Sequence, residues 1–254
     1  LGAAFNIAVI GPFYAGAFAV LAIGSLIARG VFKRRPGEAV SVGFSATFTN
    51  TVLLGIPIMH RAYGDTAMPI VYSIIGLHAP VLLTVGMLVM ELARRDGGKV
   101  SAALGQGVMK AVANPILIAI AAGLAGNFAG LELGGVVDDV TLLLASTVMP
   151  VAIFGLGGAL NEYRLADTWG QALTMTGLQL IVHPLIAWVL MVPVLGVDPQ
   201  IARYGVLLAA MPAGINIYIF ATYYNRAVDV AANTILLTTT LSLVTITGWL
   251  LVLG

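Results

Sequence analysis

Cysteine is absent from the 254 residues, and charge is scarce: 12 Lys and Arg with 11 Asp and Glu make up 9% of the chain. The first absence removes disulfides and thiolate metal sites. The second excludes more, because a soluble domain carries about 25% charged residues to coat its surface. A net charge of +1 gives no basic face for nucleic acid. Water-soluble enzymes, coiled coils and disordered chains are therefore excluded. Apolar residues fill the space that charge leaves, at 59% of the chain. This is the composition of an integral all-α membrane protein whose first partner is the lipid bilayer.

The charges cluster, and the gaps between clusters have the length of membrane spans. A helix needs about 20 apolar residues to cross the hydrocarbon core. Eight stretches qualify, at about 12–28, 39–59, 67–90, 111–130, 140–160, 170–195, 203–224 and 231–253. The alternating ten-residue segments of a membrane barrel do not occur. Leu1 to Ile10 reads as the tail of an earlier apolar segment and lacks the basic start of a signal peptide. The sequence is therefore expected to be a fragment missing N-terminal residues. Odd-numbered connections (29–38, 91–110, 161–168, 225–229) hold 10 of the 12 basic residues. The positive-inside rule places these on the cytoplasmic side of the inner membrane, with the C-terminus on the outer face.

Two spans are interrupted alike. One reads Asn50-Thr51-Val52-Leu53-Leu54-Gly55-Ile56-Pro57, the other Met211-Pro212-Ala213-Gly214-Ile215-Asn216. Proline removes a backbone donor and crowds the preceding turn. Freed backbone groups survive in a membrane only inside protein or beside a watery cavity. Either motif alone also fits an ordinary proline kink; a matched pair points to a transporter's broken helices. The breaks are expected near Gly55–Pro57 and Pro212–Gly214, approaching each other at mid-membrane. They fall on the second and seventh spans, so the repeating unit has five helices and its second copy is inverted. The predicted fold is a 5+5 inverted repeat with about eight of ten helices present. Residues 1–90 are the remainder of the first repeat, with three helices. Residues 91–110 form a cytoplasmic connecting loop, and 111–254 form the second repeat. An exposed apolar face, or another chain, is expected beside residues 12–28.

Asn50-Thr51, Gly55-Ile56-Pro57 and Tyr63-Gly64-Asp65 resemble the fourth-helix signature of the auxin efflux carrier family. Ala210 to Asn216, with Tyr218 and Phe220, is similar to the ninth helix of bacterial members, and Met149 to Gly157 to the seventh. The resemblance implies a ten-helix secondary transporter whose fourth and ninth helices unwind and cross beside the substrate. It implies a small organic anion such as malonate or an auxin-like acid, and a homodimer. Pro12-Phe13-Tyr14 stands where plant members carry an acidic residue near the start of the third helix.

The residues suggest the same cargo on physical grounds. Half-helix N-termini present unpaired N–H groups and partial positive charge, which favours an anion. Asn50 and Asn216 can donate to a carboxylate without the insertion cost of a buried Arg, about 2.5–3.5 kcal/mol. A helix–helix hydrogen bond is the plainer alternative for each Asn. The candidate substrate residues are Asn50, Thr51, Gly55, Pro57, Pro212, Gly214 and Asn216, with both amides expected to face one cavity. Thr49 and Thr51 also fit bonds back to their own helix. His78 and His183 lie near Pro80 and Pro184, which suits either a proton relay or a partner for a freed carbonyl. Tyr218, Phe220, Tyr223 and Tyr224 suit an aromatic wall or, for the last two, an interfacial belt. Nucleophile, zinc and phosphate-loop motifs are missing. The expected activity is carriage of small organic anions by alternating access, with no enzyme activity, cofactor or metal. A channel or membrane sensor domain is the alternative.

Overall fold

The computed structural model describes residues 6–95, 98–132, 134–160 and 165–254. All regular elements among them are helical. In chain order they are α1 (Ile7–Gly30), α2 (Pro36–Phe44), α3 (Ile56–Tyr63), α4 (Met68–Ala93), α5 (Val100–Val112), α6 (Pro115–Phe128), α7 (Val136–Leu160), α8 (Leu165–Gly177), α9 (His183–Val189), α10 (Pro199–Ala209), α11 (Asn216–Tyr224) and α12 (Val228–Leu253). Helix makes up most of each of the eight apolar stretches, with breaks inside 39–59, 111–130 and 203–224. Among the described residues, four runs are long and apolar enough to cross a membrane: Ile7–Gly30, Thr51–Ala93, Asp167–Val194 and Val228–Leu253. A fifth appears if α5 and α6, bent by 58°, form one span.

Short helices mark the two interrupted spans. The nine residues of α2 or of α11 rise only about 13 Å, well short of a hydrocarbon core of about 30 Å. Residues 45–50 separate α2 from a wide turn at Thr51–Gly55 that leads into α3, and residues 210–215 separate α10 from α11. The second break lies where Pro212 and Gly214 put it. The first lies ahead of its expected place: Gly55 and Pro57 belong to the wide turn and to the first turn of α3, not to the break. Wide turns occur again at Leu178–Val182 and Leu190–Val194. All three either contain a proline or end two residues before one (Pro57, Pro184, Pro193). A missing proline N–H lets the turn relax to i→i+5 bonding, as in Gly55 N to Asn50 O at 3.0 Å.

α1 is the central strut. Val9, Phe13, Ala17, Val20 and Ala28 are fully buried, in contact with α2, α9 and α10. Lipid tails are as apolar as leucine, so association depends on close backbone approach between small residues. Gly43 illustrates this. A Cβ there would sit 2.6 Å from Leu21 O and from Ser25 N on α1. An exposed apolar stripe runs along α1 at Gly11, Ala15, Ala22 and Leu26, as expected beside residues 12–28, and a wider one covers α6 and α7. None of the described side chains of α6 is buried, and Leu142, Leu143 and Leu144 are all about 60% exposed. The segment 91–110 is also not a simple loop. Its second half is α5, which buries Ala103, Gly107 and Ala111 at four-residue spacing, Gly107 against Leu88 of α4. Residues 161–164, with Arg164, lie outside the described residues, as do most side chains of the Met149–Gly157 motif.

Candidate functional site

A broken helix leaves backbone donors and acceptors that must find partners. α2 ends as Ser45 and Thr47 turn their hydroxyls back onto its last carbonyls, Ser41 O at 3.1 Å and Gly43 O at 3.0 Å. Such bonds compete with continued helix. The chain then runs past Phe48 and meets the other break antiparallel, Thr49 opposite Ala213. Asn50 N donates to Pro212 O at 2.7 Å, and Gly214 N donates to Phe48 O at 2.8 Å. The two interruptions therefore satisfy each other. Thr49, Ala213 and Met211 are almost completely buried at this contact.

Side chains from three other helical segments satisfy what the pairing leaves over. His78 of α4 donates from Nε2 to Thr49 O at 3.1 Å, with Thr49 Oγ1 at 3.3 Å. Gln179, in the wide turn before α9, donates to Met211 O at 3.1 Å. Ala213 N donates to Thr238 Oγ1 of α12 at 3.1 Å, and that hydroxyl donates onward to Thr234 O at 2.7 Å. Neither Gln179 nor Thr238 is flagged by the sequence pattern. Both sit in distant helices without a local motif, so only the fold reveals them.

Asn50 caps the wide turn: its Oδ1 accepts from Leu53 N at 3.1 Å. A backbone donor identifies that end as the oxygen, so the amide's two hydrogens are left for another partner. Asn216 is the first residue of α11, where N–H groups lack in-helix partners. It is half-buried, and its side chain makes no hydrogen bond to a described residue. Gly214 lies against Asn50: a Cβ on it would be 3.4 Å from Thr49 O and 3.5 Å from Asn50 Cα. Gly55 packs on α10, with Leu208 Cδ1 2.9 Å from its would-be Cβ. Thr51 is buried in the same turn. Asn50, Thr51, Gly55, Pro212, Gly214 and Asn216 thus cluster around the paired breaks. Pro57 does not, being exposed on α3.

The two histidines serve carbonyls. His183 donates from Nε2 to Phe13 O at 3.0 Å, and each has an Nδ1 without a partner among the described residues. Phe13 lies between them, 5.7 Å from His78 and 5.3 Å from His183. Of the aromatic quartet, Phe220 stacks on Phe44 at 4.0 Å and Tyr223 is exposed. Tyr224 is buried beside Arg94 and Lys110 rather than in a belt. An apolar cavity of about 440 Å³ between α9 and α12 is lined by Ile181, Leu185, Trp188 and Trp249. A smaller one of about 100 Å³ lies by Asn114 and Tyr223. Neither touches Asn50 or Asn216. No group of three or more potential metal ligands occurs among the described residues.

Residues 3–250 match the family described as "Membrane transport protein". A Rhizobium meliloti (strain 1021) protein named "Putative malonate transporter" is 28% identical over 228 residues, 89% of this chain and 71% of that protein. A Methanothermobacter thermautotrophicus protein named "Uncharacterized transporter" is 25% identical, covering 85% of this chain and 69% of its own length. "Auxin efflux carrier component 5" of Arabidopsis thaliana is 24% identical over 70% of this chain and 60% of that protein.

Proposed function

Because the chain belongs to the membrane transport protein family, we propose that it is a secondary carrier for small organic anions, malonate-like dicarboxylates foremost. The observation that carries this reading is the mutual pairing of the two breaks, with Asn50 and Asn216 beside it. Two helical segments start there, at Thr51 and at Asn216, so two positive dipole ends converge. The free Asn50 amide hydrogens and the Asn216 amide supply neutral donors for a carboxylate. Neutral donors hold an anion less tightly than a buried cation would, which suits a carrier that must release its cargo. The name of the Rhizobium relative supports malonate as the first cargo to test.

The two interrupted spans are each followed by a long helix, α4 and α12, which supports a 5+5 inverted repeat working by alternating access. The basic connections then face the cytoplasm, and Tyr63 and Arg203 face the opposite side. His78 positions the crossing by holding Thr49 O, and His183 does the same for Phe13 O.

The test is counterflow in proteoliposomes. Vesicles preloaded with unlabelled malonate should take up labelled malonate transiently and saturably. Uptake linear in concentration, without counterflow, would establish a channel instead. Absence of any carboxylate flux over a panel of mono- and dicarboxylates would remove the carrier reading.

A further inference from the structure

We propose that the cavity of about 100 Å³ between α4, α6 and α11 is a binding pocket for a three-carbon monocarboxylate, with the Asn114 amide as its donor. The pocket lies apart from the paired breaks and goes beyond the malonate reading. Its origin is a third interruption. α5 and α6 are bent by 58° around Ala113 and Asn114, and Asn114 caps α6. Each of the three interruptions is thus followed by a helical segment with an asparagine at its head: Asn50, Asn114 and Asn216.

The orientation of Asn114 is fixed by its own cap. Oδ1 accepts from Ile116 N at 2.9 Å and from Leu117 N at 3.3 Å. Those backbone donors identify it as the oxygen, so the opposite end is the NH2 group. The main chain of Asn114 is also occupied, its N donating to Ala111 O at 3.1 Å and its O accepting from Ile118 N at 2.9 Å. Only 6% of the residue is exposed, yet Nδ2 has no partner among the described residues. The amide is therefore the one unused polar group that Asn114 brings to the cavity it lines. Buried donors call for acceptors, and the start of α6 adds the positive end of its dipole.

The remaining walls set the class of ligand. Leu83 and Met87 of α4 and Ile219, Phe220 and Tyr223 of α11 surround the space. Ile219 and Tyr223 are partly exposed and mark its open side. One donor among apolar walls suits one carboxylate with a short hydrocarbon tail. A second carboxylate, as on malonate, would be buried against Leu83, Met87 and Phe220 without a partner, which is costly. The volume is about three times that of a liquid water, so the tail must be short. The rim attracts an anion. Tyr223 meets Tyr224 at 5.0 Å, and Lys110 and Arg94 lie 5.4 and 5.8 Å from the Tyr224 ring. These two cations share one carboxylate, Glu91, at 2.6 and 3.8 Å, which leaves one positive charge over.

Propionate and malonate are matched probes, one ending in a methyl where the other ends in a second carboxylate. In calorimetric titration the purified full chain should bind propionate, and 1-propanol, which lacks the carboxylate, about tenfold more weakly or worse. Asn114→Asp keeps the cap but replaces the donor with a like charge, and should weaken propionate about tenfold or more. Ile219→Trp fills the cavity without touching the cap and should weaken propionate as much, which decides the matter even if Asn114→Asp fails to fold. Malonate affinity should be unchanged in both variants. Absence of propionate binding to wild type, propanol binding as tightly as propionate, or propionate affinity unchanged in both variants would overturn the pocket. Parallel loss of malonate and propionate in both variants would overturn it as a site separate from the crossing. Propionate binding that depends on Asn114, in a protein that binds no malonate, would keep the pocket and overturn the malonate reading.

Discussion

Asn50 has two jobs in the proposed site, and two substitutions pull them apart. Its Oδ1 caps Leu53 N at 3.1 Å, and its Nδ2 hydrogens are left for an anion. Asn50→Ala removes both. Losing the cap should cost about 0.5–2 kcal/mol of stability. Losing a hydrogen bond to a charged ligand should cost about 1.5–3 kcal/mol of affinity, roughly ten- to 150-fold in Kd. Asn50→Asp keeps an oxygen acceptor, and Asp caps about as well as Asn. It also sets a negative charge where the carboxylate would sit. The two variants should therefore rank in opposite orders. Thermal unfolding in detergent should place Asp above Ala, and malonate titration should place Ala above Asp. Retention of wild-type affinity by Asn50→Asp would refute the amide as an anion donor and leave only the cap.

Gln179→Leu should leave Met211 O buried without its partner and lower stability by about 1–3 kcal/mol; denaturant unfolding reads this, and an unchanged midpoint would mean another donor takes over. Thr238→Val, nearly isosteric, should cost a similar amount by orphaning Ala213 N, and Thr238→Ser should restore it. His183→Gln keeps a donor for Phe13 O, so transport should retain its pH profile. A flattened profile in that variant would assign His183 to proton movement. Gly43→Ala drives a methyl into Leu21 O and Ser25 N and should destabilise by about 1–3 kcal/mol; a neutral result in thermal unfolding would show that α1 and α2 separate easily.

The second break was readable because Pro212 and Gly214 sit inside it and Asn216 starts the next helix. The first was misplaced for a physical reason. Residues 45–49 contain neither Pro nor Gly; Ser45–Thr47 turn, and the course of Phe48–Asn50 is stabilised by pairing with 212–214, a partner more than 160 residues away. Gly55 and Pro57 carry the sequence signal, but their effect is a widened turn. Of the candidate residues, Asn50, Thr51, Gly55, Pro212, Gly214 and Asn216 gather at one place, and Pro57 faces outward. Gln179 and Thr238 left no trace in the pattern, since a buried Gln or Thr in a span looks like ordinary helix packing. α5 was hidden because charged residues and glycines obscured its stripe of Ala103, Gly107 and Ala111.

The junction of the two breaks is written in main-chain atoms. Asn50 N, Pro212 O, Gly214 N and Phe48 O make its two central bonds, and side-chain identity enters only at the periphery. Such a joint is indifferent to most of the vocabulary around it. Side chains that do not bond these backbone groups can therefore vary more freely than His78, Gln179 or Thr238, which hold Thr49 O, Met211 O and Ala213 N. Under the carrier reading proposed above, a change at Asn216 would alter the surroundings of a cargo while leaving these two main-chain bonds in place.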